Sequence, residues 1–190
     1  MKLYLSTIGI AAFLISAVNI IFNTANWYYV ITAVAWCIAL QFAIDGLIAI
    51  IINKMPDRWF NIDNPIYRVS KKETTIYIRL KVRIWKDKVW ELGGLGGFSK
   101  KSLKEPDNPK YIEKFIIECN KGVLTHRLSY PAGFLAMLTL PNICAFTIAL
   151  PVAVVNLFLN ILPTIVLRYN TPMLLSVFKR LQRKTESKIK

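Results

Sequence analysis

Three long apolar blocks organise this chain before any motif is read. Leu3 to Phe22 is a run of twenty residues without a charge, about the length that spans a hydrocarbon core of roughly 30 Å. It is too long for a signal peptide and lacks a small-residue cleavage pattern, and a second apolar run follows at once. That run, Trp27 to Ile52, opens with Trp27-Tyr28-Tyr29, an aromatic cluster suited to a membrane–water interface. The third block, Tyr130 to Leu167, has 38 residues with neither acid nor base. Its length suits either two tight crossings with a turn near Leu150-Pro151, or a re-entrant hairpin broken at Pro141.

Residues 53–129 form the one sizeable polar stretch. Met55-Pro56-Asp57-Arg58-Trp59-Phe60 follows the second block directly; Pro56 stops the helix, and Trp59 and Phe60 suit the interface. Ile76 to Trp85 alternates apolar even positions with mostly basic odd ones (Arg79, Lys81, Arg83), which is the period of a strand. No second alternating run exists to pair with it, and a lone strand leaves its backbone groups unmatched. The expectation is therefore an amphipathic, helical interfacial segment whose basic heads snorkel to lipid phosphates. Glu91 to Gly97 and Lys104 to Pro109 are turn-rich, and the glycines at 93, 94, 96 and 97 do not complete a phosphate-binding fingerprint. Pro109 then precedes a helix from Lys110 to about Leu128, with Ile112, Phe115, Ile116, Cys119 and Val123 on one face.

Charge orients these blocks. Residues 53–130 hold seventeen Lys and Arg against nine Asp and Glu, the stretch after Leu167 holds seven against one, and Asn23 to Asn26 holds none. By the positive-inside rule both termini and the middle segment face the cytoplasm. Arg127 and Arg168 flank the third block on the same side, which asks for an even number of crossings between them. The expected fold is an all-α membrane protein of about four transmembrane helices: a hairpin over 1–52, a basic cytoplasmic interfacial insert over 53–129, and a second hairpin with a basic tail over 130–190. The expected location is a bacterial cell membrane.

The apolar share of 54% fits that class because it is concentrated in blocks and not spread periodically. A net charge of +14 would also suit nucleic acid, but no binding motif accompanies it. Basic residues beside spans attract anionic lipid headgroups at about 1 kcal/mol each. Cys37, Cys119 and Cys144 lack metal-ligand spacing and read as buried free thiols; no metal or cofactor is expected.

His126 is the single histidine, where the basic segment meets the third apolar block. Its side chain exchanges protons near neutrality, as a general base for acyl transfer must; an interfacial histidine near a helix end is the plain alternative. Glu118 is a candidate to orient it, yet eight residues of helix separate the two by about 12 Å. A direct hydrogen bond would need a break, and Gly122 is the obvious place. Asp45 lies inside the second block, where a carboxyl costs on the order of 2.5–3.5 kcal/mol, so it should face the protein interior, building a polar site with Gln41 or packing against a helix. Arg168 can bind a phosphate or an oxyanion, or simply anchor the span. Asn156 and Asn160 share a helix face, where they can line a polar groove or bond between helices.

Several segments in order carry a resemblance: Met55 to Phe60, Arg83-x-Trp85-Lys86-Asp87, Glu118 with His126, Asn160, and Arg168-Tyr169-Asn170-x-Pro172. Together they resemble the glycosyl-4,4'-diaponeurosporenoate acyltransferase family of bacterial membrane proteins, over roughly residues 53 to 185. The resemblance implies transfer of a long acyl chain to a sugar hydroxyl of a glycosylated carotenoid. Val123 stands where the family often has an acid, Thr171 and Met173 where it has cations, and a proline usual near the span asparagine is displaced to Pro163. The resulting expectation is an acyltransferase at the cytoplasmic interface, with His126 as general base and Glu118 beside it. Arg168 and Asn170 would hold a thioester oxygen or a headgroup. Tyr169, Asn160, Asp45, Trp85 and Lys86 would line the substrate site. The donor would be acyl-CoA, acyl carrier protein or phospholipid, and the acceptor a glycolipid, a glycosylated isoprenoid or a lipoprotein amino terminus. The rival from another class is a non-enzymatic scaffold subunit whose basic tail docks a partner.

Overall fold

The structure, a computed structural model, describes residues 2–23, 26–89 and 103–189. The glycines at 93, 94, 96 and 97 lie outside the described residues. Among the described residues the chain is helical and forms no strand: α1 (Lys2–Ile21), α2 (Trp27–Lys54), α3 (Lys71–Arg79), α4 (Val82–Trp85), α5 (Pro109–Ala132), α6 (Asn142–Cys144) and α7 (Leu150–Ile189), joined by short 3₁₀ and π turns. The chain packs as two units, Met1–Ile51 with Thr125–Leu162, and Ile52–Leu124 with Pro163–Lys190.

In the first unit Val30, Ala33, Val34 and Cys37 of α2 pack against Ala136, Ile148, Ala149 and Val152. The small side chains at 33, 136 and 149 let helix backbones approach closely, the usual way to pack apolar helices in lipid. Asn19, only 2% exposed, donates to the Ile15 carbonyl at 2.8 Å and to the Thr147 carbonyl at 2.9 Å. Thr147 lies in the π turn Ala145–Ala149, where the wider winding frees carbonyls for such partners.

The chain does not turn near Leu150-Pro151. Pro151 falls in the first turn of α7, directly after the π turn, where a missing N–H costs little. The break lies at Leu140-Pro141, after the 3₁₀ run Gly133–Thr139. Leu140 is extended, with φ −114° and ψ 143°, as the ring of a following proline requires. That leaves three described helices long and apolar enough to cross a membrane, Tyr4–Ile21, Trp27–Lys54 and Ala145–Ser187, where the apolar pattern anticipated about four. The pieces between residues 133 and 144 are too short to span on their own.

In the second unit Pro56 ends α2 as expected, and the next residues form the 3₁₀ turn Asp57–Phe60. Phe60 is fully buried, its ring centroid 6.0 Å from that of Tyr67, and its carbonyl accepts from Asn120 Nδ2 at 2.9 Å. Ser70 caps α3, its hydroxyl accepting from the Glu73 N–H at 3.1 Å. Helix α3 ends at Arg79; Lys81, with φ 51°, lies in the left-handed region, and α4 begins at the next residue. The alternating segment is thus two short helices. Helix α5 starts at Pro109, with Asn108 Oδ1 accepting from the Lys110 N–H at 3.1 Å. Its face of Ile112, Phe115, Ile116, Cys119 and Val123 is buried.

Candidate functional site

The first unit contains a chain of polar side chains inside an apolar helix packing. His126 Nδ1 lies 2.8 Å from Asn160 Oδ1. The Asn160 amide nitrogen donates to Asp45 Oδ2 at 3.0 Å, and to the Asn156 carbonyl and Oδ1 at 3.1 and 3.2 Å. Three acceptors around that nitrogen turn its oxygen toward the histidine. An amide oxygen only accepts, so His126 Nδ1 carries the proton, and the lone pair of the neutral ring is on Nε2.

A second polar layer lies one helical turn away. Asn156 Nδ2 donates to Gln41 Oε1 at 2.9 Å, and Gln41 Nε2 donates to the Gly133 carbonyl at 2.6 Å. A Cβ at position 133 would lie 2.9 Å from Gln41 Oε1 and 3.2 Å from Asn156 Nδ2, so glycine is what lets the backbone come this close. These bonds also fix register. Trp36 meets Thr139 at 3.2 Å while Gln41 meets Gly133, so α2 runs antiparallel to the chain that continues α5. Gln41 meets Asn156 and Asp45 meets Asn160, so α2 runs parallel to α7.

In the second unit Arg168, 5% exposed, clamps Glu73 of α3. Its Nη2 donates to Glu73 Oε2 at 2.6 Å and to the Arg68 carbonyl at 3.2 Å, and its Nε donates to Glu73 Oε1. The Tyr77 hydroxyl donates to the same Oε1. Burial works to raise the Glu73 pKa, but the hydrogen bonds from Arg168 and Tyr77 and the guanidinium charge outweigh it and hold the carboxyl below its ordinary range. Burial, together with the bond to Glu73, pushes the Tyr77 phenol up to about 12. Nearby in sequence, Lys86 Nζ lies 3.3 Å from Asn170 Oδ1 and 5.8 Å from the Tyr169 ring centroid. Trp85 Nε1 donates to the Leu80 carbonyl at 3.0 Å.

The sequence candidates therefore fall into separate groups. Asp45, His126 and Asn160 come together in the first unit, extended by Asn156 and Gln41. Arg168 belongs to the second unit with Glu73, and Lys86, Tyr169 and Asn170 form their own cluster there. Glu118 accepts from Lys121 at 3.3 Å, and Lys121 bridges to Asp57 at 2.6 Å. Helix α5 runs through Gly122 without the break that a direct Glu118–His126 bond needs; the residue that meets His126 Nδ1 is Asn160. Glu73 and Tyr77 escaped the sequence reading. Ser70-x-x-Glu73 carries the spacing of a capping box, which explains that acid locally and hides a partner 95 residues away.

Residues 56–180 match the family model for glycosyl-4,4'-diaponeurosporenoate acyltransferase. The match covers more than half of the chain, and the chain belongs to this family. No curated protein and no solved structure matches it.

Proposed function

We propose, from that family membership, that the protein moves a long acyl chain onto a hydroxyl of a lipid-linked acceptor at the cytoplasmic face of a bacterial membrane. The observation that carries the reading is the contact between His126 Nδ1 and Asn160 Oδ1. It sets the tautomer in which Nε2 is the basic nitrogen of the neutral ring, as a general base requires.

In this reading the acceptor oxygen attacks the acyl carbonyl carbon while His126 Nε2 removes its proton. The bond from that carbon to the donor's leaving atom then breaks, and the imidazolium returns the proton to it. The leaving group is a thiol when the donor is acyl-CoA or acyl carrier protein, and a lysophospholipid alcohol when it is a phospholipid. Asn160 positions the ring, and Asp45 positions Asn160. In the second unit Lys86, with Asn170 and Tyr169, offers a cationic contact for anionic lipid headgroups, and Trp85 precedes it in the chain. Arg168 holds α3 through Glu73, and Glu118 holds Lys121, so both act as positioning residues. Exposed Ile76, Ile78, Leu80 and Ile84 interleave with Arg79, Lys81 and Arg83, which suits a segment lying in the interface beside anionic lipid.

Lipid profiling of cells carrying His126→Ala tests the reading. The acylated product should fall by about 10²–10⁴-fold, the usual contribution of a general base. An unchanged set of acylated lipids would remove His126 from the chemistry. A fixed partner protein copurifying with the chain, with activity indifferent to His126, would instead support the scaffold alternative.

A further inference from the structure

Over its last turns α7 carries a face that the proposed chemistry leaves unused. Ser176, Lys179, Arg180, Arg183, Lys184 and Ser187 line one open groove, and all six are exposed. Their spacings of three and four residues set them on a single helix face. They form two rows, with Ser176, Arg180 and Lys184 in one and Lys179, Arg183 and Ser187 in the other. Among the described residues no ion pair or hydrogen bond engages the four cationic side chains. The opposite face, Leu174, Phe178 and Leu181, is buried in the protein.

A dense patch of one sign without an internal counter-charge favours an anionic partner, and position and lining decide which kind. The apolar block of α7 ends at Leu167. Along the helix, Lys179 lies about 17 Å and Lys184 about 24 Å beyond Arg168, whereas the headgroup layer adds only about 5–8 Å to each side of the hydrocarbon. A helix lying flat on lipid would reach the headgroups, but it would need the apolar face that α7 has already buried. The partner therefore comes from water. A nucleotide would need apolar or aromatic surface for its base, and among the described residues the groove has none. An acidic helix on another protein matches better. Its carboxylates repeat at three and four residues, about 6 Å apart, as these cations do, and exposed complementary charge is how proteins steer one another.

We propose that this face of α7 docks an acidic helix of a soluble protein. Within the acyl-transfer reading, on which the partner's identity rests, that protein is an acyl carrier protein: of the donors considered, it alone presents its charge on a folded surface. The basic face holds the carrier and takes no part in breaking the thioester.

The test uses the full chain in phosphatidylcholine vesicles, with palmitoyl-loaded acyl carrier protein as the probe. Wild type should bind it, and added salt should weaken the complex. Arg180→Glu with Arg183→Glu should lower the affinity by about tenfold or more, because like charges then face each other, while Arg180→Lys with Arg183→Lys should hold it within about twofold. Both variants should keep the wild-type thermal midpoint, since these side chains are exposed; a drop would show that the cations serve the fold and would overturn the docking face. In a transfer assay the reversal should raise KM for the carrier-borne acyl group. It should leave unchanged the KM for palmitoyl-CoA, which carries the same thioester without the protein. Carrier affinity indifferent to the reversal would overturn the proposal. So would an equal loss of affinity for short-chain phosphatidylglycerol or for palmitoyl-CoA, the marks of a lipid or a nucleotide site. His126-dependent transfer with reversal-indifferent carrier binding would overturn the docking face and leave the acyltransferase standing. Reversal-sensitive carrier binding without any transfer would support the docking face and reject the acyltransferase.

Discussion

At the scale of single residues, the proposed chemistry depends on which nitrogen of His126 carries its proton. The chain has one histidine, so nitrogen NMR of histidine-labelled protein reports it without ambiguity. The expected spectrum is a neutral ring protonated at Nδ1; a ring protonated at Nε2 would mean that the Asn160 contact has been read backwards. Asn160→Leu should release the ring and reduce acyl transfer by about tenfold, the worth of one orienting hydrogen bond, measured as initial rate. Gly133→Ala tests the second polar layer. Its new methyl would press on Gln41 and Asn156, both already committed to hydrogen bonds, and overpacking of this kind costs about 1–3 kcal/mol. A denaturation midpoint equal to wild type would mean that the layer yields more easily than its bonds imply.

At the scale of elements, α3 is fastened by one ion pair and its surroundings. Two ion pairs in the second unit invite comparison. Lys121 meets Asp57, whose side chain is 59% exposed, and solvent leaves such a pair worth at most about 1 kcal/mol. Arg168 meets Glu73 with side chains only 6% and 23% exposed, so this pair decides where α3 sits. Glu73→Ala would strand the guanidinium at a cost of about 3 kcal/mol, the low end for a buried pair because Glu73 keeps some solvent access. Arg168→Met on that background should restore part of the loss, since no buried charge then remains unpaired.

Acid should have the same effect as the alanine substitution. The folded-state pKa of Glu73 is depressed, so its stabilisation is present above the ordinary carboxylate range and lost as pH falls through the depressed value. The stability gap between wild type and Glu73→Gln should therefore close in acid and be full near neutrality. A gap constant with pH would contradict the pairing. The alternation from Ile76 to Trp85 shows how an element can mislead: it has the period of a strand, yet a left-handed Lys81 divides it into two helices. What decided the matter in sequence was the missing partner strand, a nonlocal fact.

At the scale of the whole molecule, the parts governed by local composition were legible and the parts governed by distant contacts were not. The first two apolar blocks are helices within a few residues of their sequence limits, because twenty uncharged residues have few other stable forms in lipid. The third block carried two alternatives, and proline content could not choose between them. Pro141 breaks the chain, whereas Pro151 follows a π turn within a helical run that continues. The site divides the same way. His126, Asp45 and Asn160 each stood out as polar groups at costly positions, and packing joins them.

The proposed chemistry, acyl transfer through His126, is open to a direct assay. The most direct measurement supplies purified protein in phospholipid vesicles with radiolabelled palmitoyl-CoA and a lipid-linked glucoside, and follows label reaching the glucoside. Wild type should give a labelled ester, and His126→Ala a rate lower by about 10²–10⁴-fold with thermal stability little changed. Equal rates for the two proteins would contradict it.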